Sequence, residues 1–305
     1  MELCHSSLHQ LIHPLKRSDA PANPRERFNL GGLQHEWTTE SLPAQLVCSL
    51  LREIVSGMLF LHGTMGIQHG DLKPRNILVK IGEDGECTLK LCDFGSSRML
   101  QLPPTELAFT GTLPYMAPEL LDPSSTPDAG SADTAARAVD VYSFGVCLWE
   151  ALTRQFPWRH LLEQGMVIDL KRRVAVAVER PPTDTIRIRA ESPVDGPIGK
   201  AEAVPRALLL LLEACWRHDP AARPTFAQLA QLDLERLCFS MPAEEQLVQL
   251  IDRTEREAAS LPNRTPRSSP QWGIAGSQAR AADELPVVPA GYQSPAMVVP
   301  PQHSY

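Results

Sequence analysis

The chain has 305 residues, of which 43% are hydrophobic and 21% charged, with a net charge of −7; this is the composition of an ordinary soluble globular protein with room for one large domain and a tail. No run of Lys or Arg is dense enough for a nucleic-acid groove or an anionic membrane surface, and no apolar run approaches the roughly 20 residues of a membrane span, so neither nucleic acid nor membrane is an expected partner. The seven cysteines (Cys4, Cys48, Cys87, Cys92, Cys147, Cys215 and Cys238) are scattered without close C-x-x-C pairs, which predicts reduced, mostly buried thiols in a cytoplasmic setting.

In chain order, Ser6 to His13 predicts a short helix, and the polar, Pro- and Gly-rich stretch from Pro14 to Glu40 predicts an enlarged surface loop. From Ser41 onward Leu42, Leu46, Leu50, Ile54 and Met58 recur every four residues, flanked by Val47, Leu51, Val55 and Leu59. That spacing predicts a long, largely buried helix with Ser41 and Pro43 as start signals. Two short apolar segments, Ile77 to Lys80 and Thr88 to Cys92, are separated by Gly82-Glu83-Asp84-Gly85, which is turn chemistry between paired strands. Helical patterns follow at Val139 to Leu152, with Asp140 near its start, and at Leu161 to Val178, Ala207 to Trp216 and Thr225 to Leu237. Pro181 to Pro205 reads as an irregular insertion. Residues 241–260 predict a short helical extension with an amphipathic core at Glu244 to Glu257, and residues 261–305, rich in Pro, Ser, Ala and Gln, predict disorder.

The chemistry is concentrated in three ordered stretches: His69-Gly70-Asp71-Leu72-Lys73-Pro74-Arg75-Asn76, Asp93-Phe94-Gly95 and Ala117-Pro118-Glu119. Phosphoryl transfer needs a carboxylate to orient a hydroxyl and accept its proton, cations to neutralise phosphate, and oxygen ligands to fix those cations. Asp71, Lys73, Asn76 and Asp93 supply that set. Singly, Asp71 and Asp93 read more simply as solvated loop carboxylates, and a lone His69 as a satisfied core histidine; the joint order of three motifs makes coincidence improbable.

These stretches resemble the C-terminal lobe of the eukaryotic protein kinases over residues 1 to about 240. The resemblance implies a mainly α fold, a helical bundle with a small catalytic β-hairpin, followed by a disordered tail. It implies Asp71 as catalytic base, Lys73 as contact to the transferred phosphate, Asn76 and Asp93 as Mg2+ ligands, and Leu78 as the floor of an adenine pocket for ATP. Met1 to Leu8 resembles the hinge and the helix after it, which makes Glu2 and Cys4 nucleotide-binding positions. Asp140 is expected to accept backbone hydrogen bonds from the 69–76 loop, and Glu119 to form a buried ion pair with Arg223. His69 is implied to be architectural.

Lys73 two positions after Asp71, and Gly111-Thr112 before Ala117-Pro118, resemble serine/threonine kinases, so the implied substrates are Ser/Thr hydroxyls of proteins. Asp140 to Gly145 and Cys215 to Phe226 resemble the tyrosine-kinase-like branch. Two departures stand out. Gly70 occupies the position where many kinases carry a phosphate-reading arginine, so switching through Thr105, Thr110 or Thr112 is not expected. The Gly-rich loop, the strand lysine and its helix glutamate belong before the hinge, so a sequence that starts there is expected to lack roughly the first hundred residues of such a domain and to be weakly active. The alternatives are a non-catalytic pseudokinase-like scaffold that uses the lobe as a binding surface, with SH3/WW-type binding of the Pro-rich tail, and a small-molecule phosphotransferase.

Overall fold

Ser7 opens the first helix by a reciprocal cap: its hydroxyl accepts the Gln10 backbone N–H at 3.3 Å, and its own N–H donates to the Gln10 side chain at 3.0 Å, satisfying two otherwise orphaned donors. The computed structural model describes residues 4–13, 42, 44–81, 87–100, 111–122, 132–184, 186–189, 201–203, 205–237 and 241–261. Glu2, the 14–40 loop, the start signals Ser41 and Pro43, the Gly82–Gly85 turn, Thr105, Thr110, the middle of the 181–205 insertion and the tail beyond Leu261 lie outside them.

Strand β1 (Ser6–Ser7) leads into α1 (Leu8–Ile12) and pairs antiparallel with β3 (Ile77–Ile81), which in turn pairs with β4 (Cys87–Leu91) in the register Ile77 to Leu91 and Ile81 to Cys87. The expected hairpin is therefore present, with the N-terminal segment added as a third strand. Helix α2 (Ala44–Leu59) buries Leu46, Val47, Leu50, Leu51, Ile54, Val55 and Met58, and it continues into a π-helical turn at Phe60–Met65. One correction follows, because Leu46–Met65 is long and apolar enough by length and composition to cross a bilayer. Its apolar face is instead spent on the core, where each large side chain contributes about 1.5–3 kcal/mol.

Strands β2 (Ile67–Gln68) and β5 (Arg98–Met99) pair antiparallel and clamp the two loops that carry the candidate site. After the short α3 (Pro118–Leu121) comes α4 (Ala132–Thr153), the central helix, buried on nearly every side through Val141, Tyr142, Phe144, Val146, Cys147, Leu148 and Trp149. It begins seven residues earlier than the Val139 start its apolar spacing predicts, because Ala132, Ala135, Ala136 and Ala138 are strong helix formers that carry no apolar stripe. Asp140 is thus mid-helix and not at a helix start. Gly145 lets α4 approach α7 (Arg206–Cys215): a Cβ there would lie 3.0 Å from the Cys215 Cβ.

The Leu161–Val178 pattern resolves into α5 (Arg159–Glu163) and α6 (Val167–Ala175). Inside the segment read as irregular, β6 (Arg187–Arg189) pairs antiparallel with β7 (Ala201–Ala203); the alternation Ile186-Arg187-Ile188-Arg189 is the period-two signal for it. The Thr225–Leu237 helix shrinks to α8 (Phe226–Leu229), capped by Thr225 and Gln228, with turns after it. Helix α9 (Met241–Ala259) packs against α7 and buries Ala243, Leu247 and Ala258.

Candidate active site

The 69–76 loop is held from below by one carboxylate. Asp140, fully buried in α4, accepts the His69 N–H at 2.8 Å and the His62 Nε2 at 2.8 Å on Oδ2, and the Gly70 N–H at 2.9 Å on Oδ1. Bonds to a carboxylate are about twice as strong as neutral ones; two of these three fix the loop backbone relative to the helix, and the third ties in the His62 side chain. Asp140 performs the expected anchoring from a position well inside the helix.

His69 is buried and ties the two loops together. Its Nδ1 accepts the Asp71 N–H at 3.3 Å, so its Nε2 carries the proton and donates to the Cys92 carbonyl at 3.1 Å. The Ser97 hydroxyl donates to the His69 carbonyl at 3.1 Å, and the His69 ring lies 5.4 Å from that of Phe94. Gly70 has φ of 78°, and a Cβ there would lie 2.5 Å from the Ser96 carbonyl oxygen. The glycine is therefore demanded twice, by its left-handed backbone and by the approach of the 93–97 turn.

Asp71 faces Lys73 and Asn76. Lys73 Nζ donates to Asp71 Oδ2 at 2.5 Å and to the Thr112 hydroxyl at 2.7 Å; Asn76 Nδ2 donates to the Asp71 carbonyl at 2.9 Å and to Oδ2 at 3.2 Å. Asp71 Oδ1 is buried and has no hydrogen-bond partner among the described residues. Both bonds of Asn76 to Asp71 come from its amide nitrogen, not its oxygen. The Cys92 N–H donates to the Asn76 carbonyl at 2.9 Å, which joins this loop to the start of the Asp93 turn.

Asp93 itself is exposed, in the left-handed conformation (φ 63°, ψ 70°), and heads a single 3-10 turn at Phe94–Ser96. Burial and the neighbouring Asp93 carboxylate push the Cys92 thiol up. Of the positions assigned to nucleotide binding, Leu78 is half-buried on β3, and the segment with Cys4 is tied to the same strand by the His5 N–H to Val79 carbonyl bond of 2.9 Å.

Below the site, Arg223 holds Glu119 in a fork, Nη1 to Oε1 at 2.7 Å and Nη2 to Oε2 at 2.8 Å, with the two side chains 0% and 7% exposed. The guanidinium also donates to the carbonyls of Ala138, Arg217 and His218 and sits 5.1 Å over the Tyr142 ring.

Two clusters escape sequence reasoning. His62, which shares Asp140 with the loop, sits in the π-helical turn after α2. Glu150, fully buried in α4, receives the Tyr115 hydroxyl at 2.6 Å and His13 at 2.7 Å. Burial works against its charge, but the approach of His13, His9 and Tyr115 to its oxygens outweighs it and holds the Glu150 carboxyl below its usual range. Burial and the Glu150 carboxylate push the Tyr115 phenol far up.

Comparison with known proteins agrees with this geometry. The protein kinase domain family matches residues 8–234. Similar curated proteins include the mitogen-activated protein kinase kinase kinase dlk-1 of Caenorhabditis elegans, 30% identical over 192 residues, covering 63% of this chain and 17% of that protein. The receptor-interacting serine/threonine-protein kinase 1 of Homo sapiens is 30% identical over 240 residues, covering 73% and 31%. The serine/threonine-protein kinase-transforming protein mos of Moloney murine sarcoma virus (strain ts110) is 31% identical over 238 residues, covering 75% and 53%. The chain thus spans about half or less of the length of these relatives. With the 69–76 loop anchored on a central helix, a paired β3–β4 hairpin and the buried Glu119–Arg223 fork all in place, the chain belongs to the eukaryotic protein kinase family.

Proposed function

We propose that the chain carries the catalytic machinery of an ATP-dependent protein serine/threonine kinase. The observation that carries this reading is the state of Asp71: one carboxylate oxygen is held by Lys73 and Asn76, and the other is buried and unpartnered. A buried acceptor without a donor costs about 1–3 kcal/mol, and it is the group that a substrate hydroxyl would satisfy. Asp71 orients that hydroxyl and takes its proton, while Lys73, within reach of both Asp71 and Thr112, is placed to meet the transferred phosphoryl group.

The donor set fits magnesium: the exposed Asp93 carboxylate and the Asn76 amide oxygen are hard oxygen ligands, and such an ion takes one or two protein oxygens and leaves the rest to phosphate and water. When bound, the ion neutralises charge on the phosphates of ATP. Cys4 and Leu78, on or beside β3, are assigned to the adenine side of the nucleotide, together with Glu2. The bond between Lys73 and Thr112 supports Ser/Thr over Tyr acceptors, since it links the lysine spacing and the Gly111-Thr112 stretch in one contact. The phrases Asp140 to Gly145 and Cys215 to Phe226 support the tyrosine-kinase-like branch, and the unbridged thiols of Cys48, Cys147 and Cys215 support a reducing, cytoplasmic setting.

A second reading, a scaffold that binds proteins without turnover, is favoured by the half-exposed apolar side chains Phe60, Met65 and Met99 next to the β2–β5 pair. One assay separates the two: transfer of radiolabelled phosphate to Ser/Thr peptides with Mg2+, with Asp71→Asn as control. Loss of a proton-accepting carboxylate is expected to lower the rate by about 10²- to 10⁴-fold. Equal incorporation in the two proteins, or none in the wild type, overturns the catalytic reading.

A further inference from the structure

We infer that His9, His13 and Glu150 form a binding site for a divalent transition-metal ion of the zinc class, distinct from the Asp93–Asn76 ligand set. His9 and His13 are spaced i, i+4 on α1 and its C-terminal cap, so their rings stand on one face with centroids 4.7 Å apart. Both face Glu150 of α4: His13 Nε2 lies 2.7 Å and His9 Nδ1 3.6 Å from the same oxygen, Oε1. One donor atom from each residue lies within 4.8 Å of the others. Around a tetrahedral zinc at about 2.0–2.1 Å, ligand atoms stand about 3.3 Å apart. The observed separations bracket that value, so small ring rotations close the site.

Hydrogen bonding to a buried carboxylate accounts for His13 but not for His9. His9 Nδ1 is buried, stands 3.6 Å from Glu150 Oε1, too far for a hydrogen bond, and makes no hydrogen bond among the described residues. A metal ion would satisfy it. The surroundings are built as metal sites are built. The second oxygen of Glu150 is fixed by the Tyr115 hydroxyl at 2.6 Å, a partner that holds the carboxylate in one orientation. Arg154 of the α4 C-terminal cap donates to the Ile12 carbonyl at 2.8 Å, which pins the end of α1 where His13 projects. Glu150 is fully enclosed while the His9 and His13 side chains are 18% and 23% exposed, so an ion enters from the histidine side and keeps a water as its fourth ligand. Two imidazoles and one carboxylate suit zinc, cobalt or nickel and not magnesium, which prefers oxygen alone. Bound there, the ion would join α1, α4 and the Leu113–Tyr115 turn.

The test uses the full chain stripped with a chelator and titrated with Zn2+ against a competing chromophoric chelator. One zinc equivalent is expected to bind the wild type and to weaken by more than about tenfold in His9→Ala. That substitution removes an atom with no hydrogen-bond partner, so the metal-free melting temperature is expected to stay within a few degrees of wild type. X-ray absorption of the wild-type zinc complex is expected to report a shell of nitrogen and oxygen only, and it decides the question even if the variant unfolds. Sulfur in that shell, equal zinc affinity in the two folded proteins, or no zinc retained by the wild type would each overturn the site.

Discussion

Asp71 lies in a loop whose backbone is bonded to a buried carboxylate, whose histidine reaches the neighbouring turn, and whose own side chain is gripped by a lysine and an amide. Asp93 lies in one exposed turn, in a left-handed conformation, with no side-chain hydrogen bond among the described residues. The two carboxylates are assigned to one reaction and are held by opposite means. The side assigned to a proton is positioned in advance, because misplacing it would cost rate directly. The side assigned to a metal keeps its carboxylate in water, where charge is cheap until a cation arrives.

This contrast can be broken most sharply at Asp140. Asp140→Asn keeps the shape but replaces one acceptor oxygen with a donor facing a donor. The loss in unfolding free energy is expected to be roughly 3 kcal/mol, read as a lower denaturant midpoint at unchanged slope. A change below about 1 kcal/mol would mean that the loop is not held from the helix. Gly70→Arg probes the contact between the two halves. The left-handed backbone and the Ser96 carbonyl 2.5 Å from the new Cβ predict a loss of about 2 kcal/mol. A neutral or stabilising result would show that the Asp93 turn yields at no cost. The smallest effect belongs to Phe94→Ala. Phe94 is 47% exposed, so truncation is expected to cost under about 1 kcal/mol by thermal unfolding. A core-sized loss of about 3 kcal/mol would mean that this side is as firmly built as the other.

The legible parts of the molecule are those written in local chemistry. The 69–76 stretch, the hairpin and α2 could be read because turn residues and four-residue apolar spacing act within a few positions. Glu119 with Arg223, and Asp140 with the loop, were accessible through the family resemblance, and the structure brings both sets together. Asp140 was nevertheless misplaced along its helix, since an alanine-rich first turn carries propensity without periodicity. Helix α8 was overextended because Leu232, Leu234 and Leu237 continue an apolar pattern through turns. His9 and His13 meet Glu150 across 137 or more residues of chain, and no local spacing reports such a meeting. The i, i+4 histidine pair was its one visible trace.

Arg223 lends the lower half of the protein a property that no single helix has. Its guanidinium grips Glu119 after the 111–117 stretch, the backbone of α4 at Ala138 and the turn at Arg217 and His218, and it lies against Tyr142. None of these pieces can peel away alone without abandoning a desolvated positive charge. The segment that ends at Glu119 therefore shares the fate of the central helix: partial opening there is suppressed, and loss of order propagates to both at once.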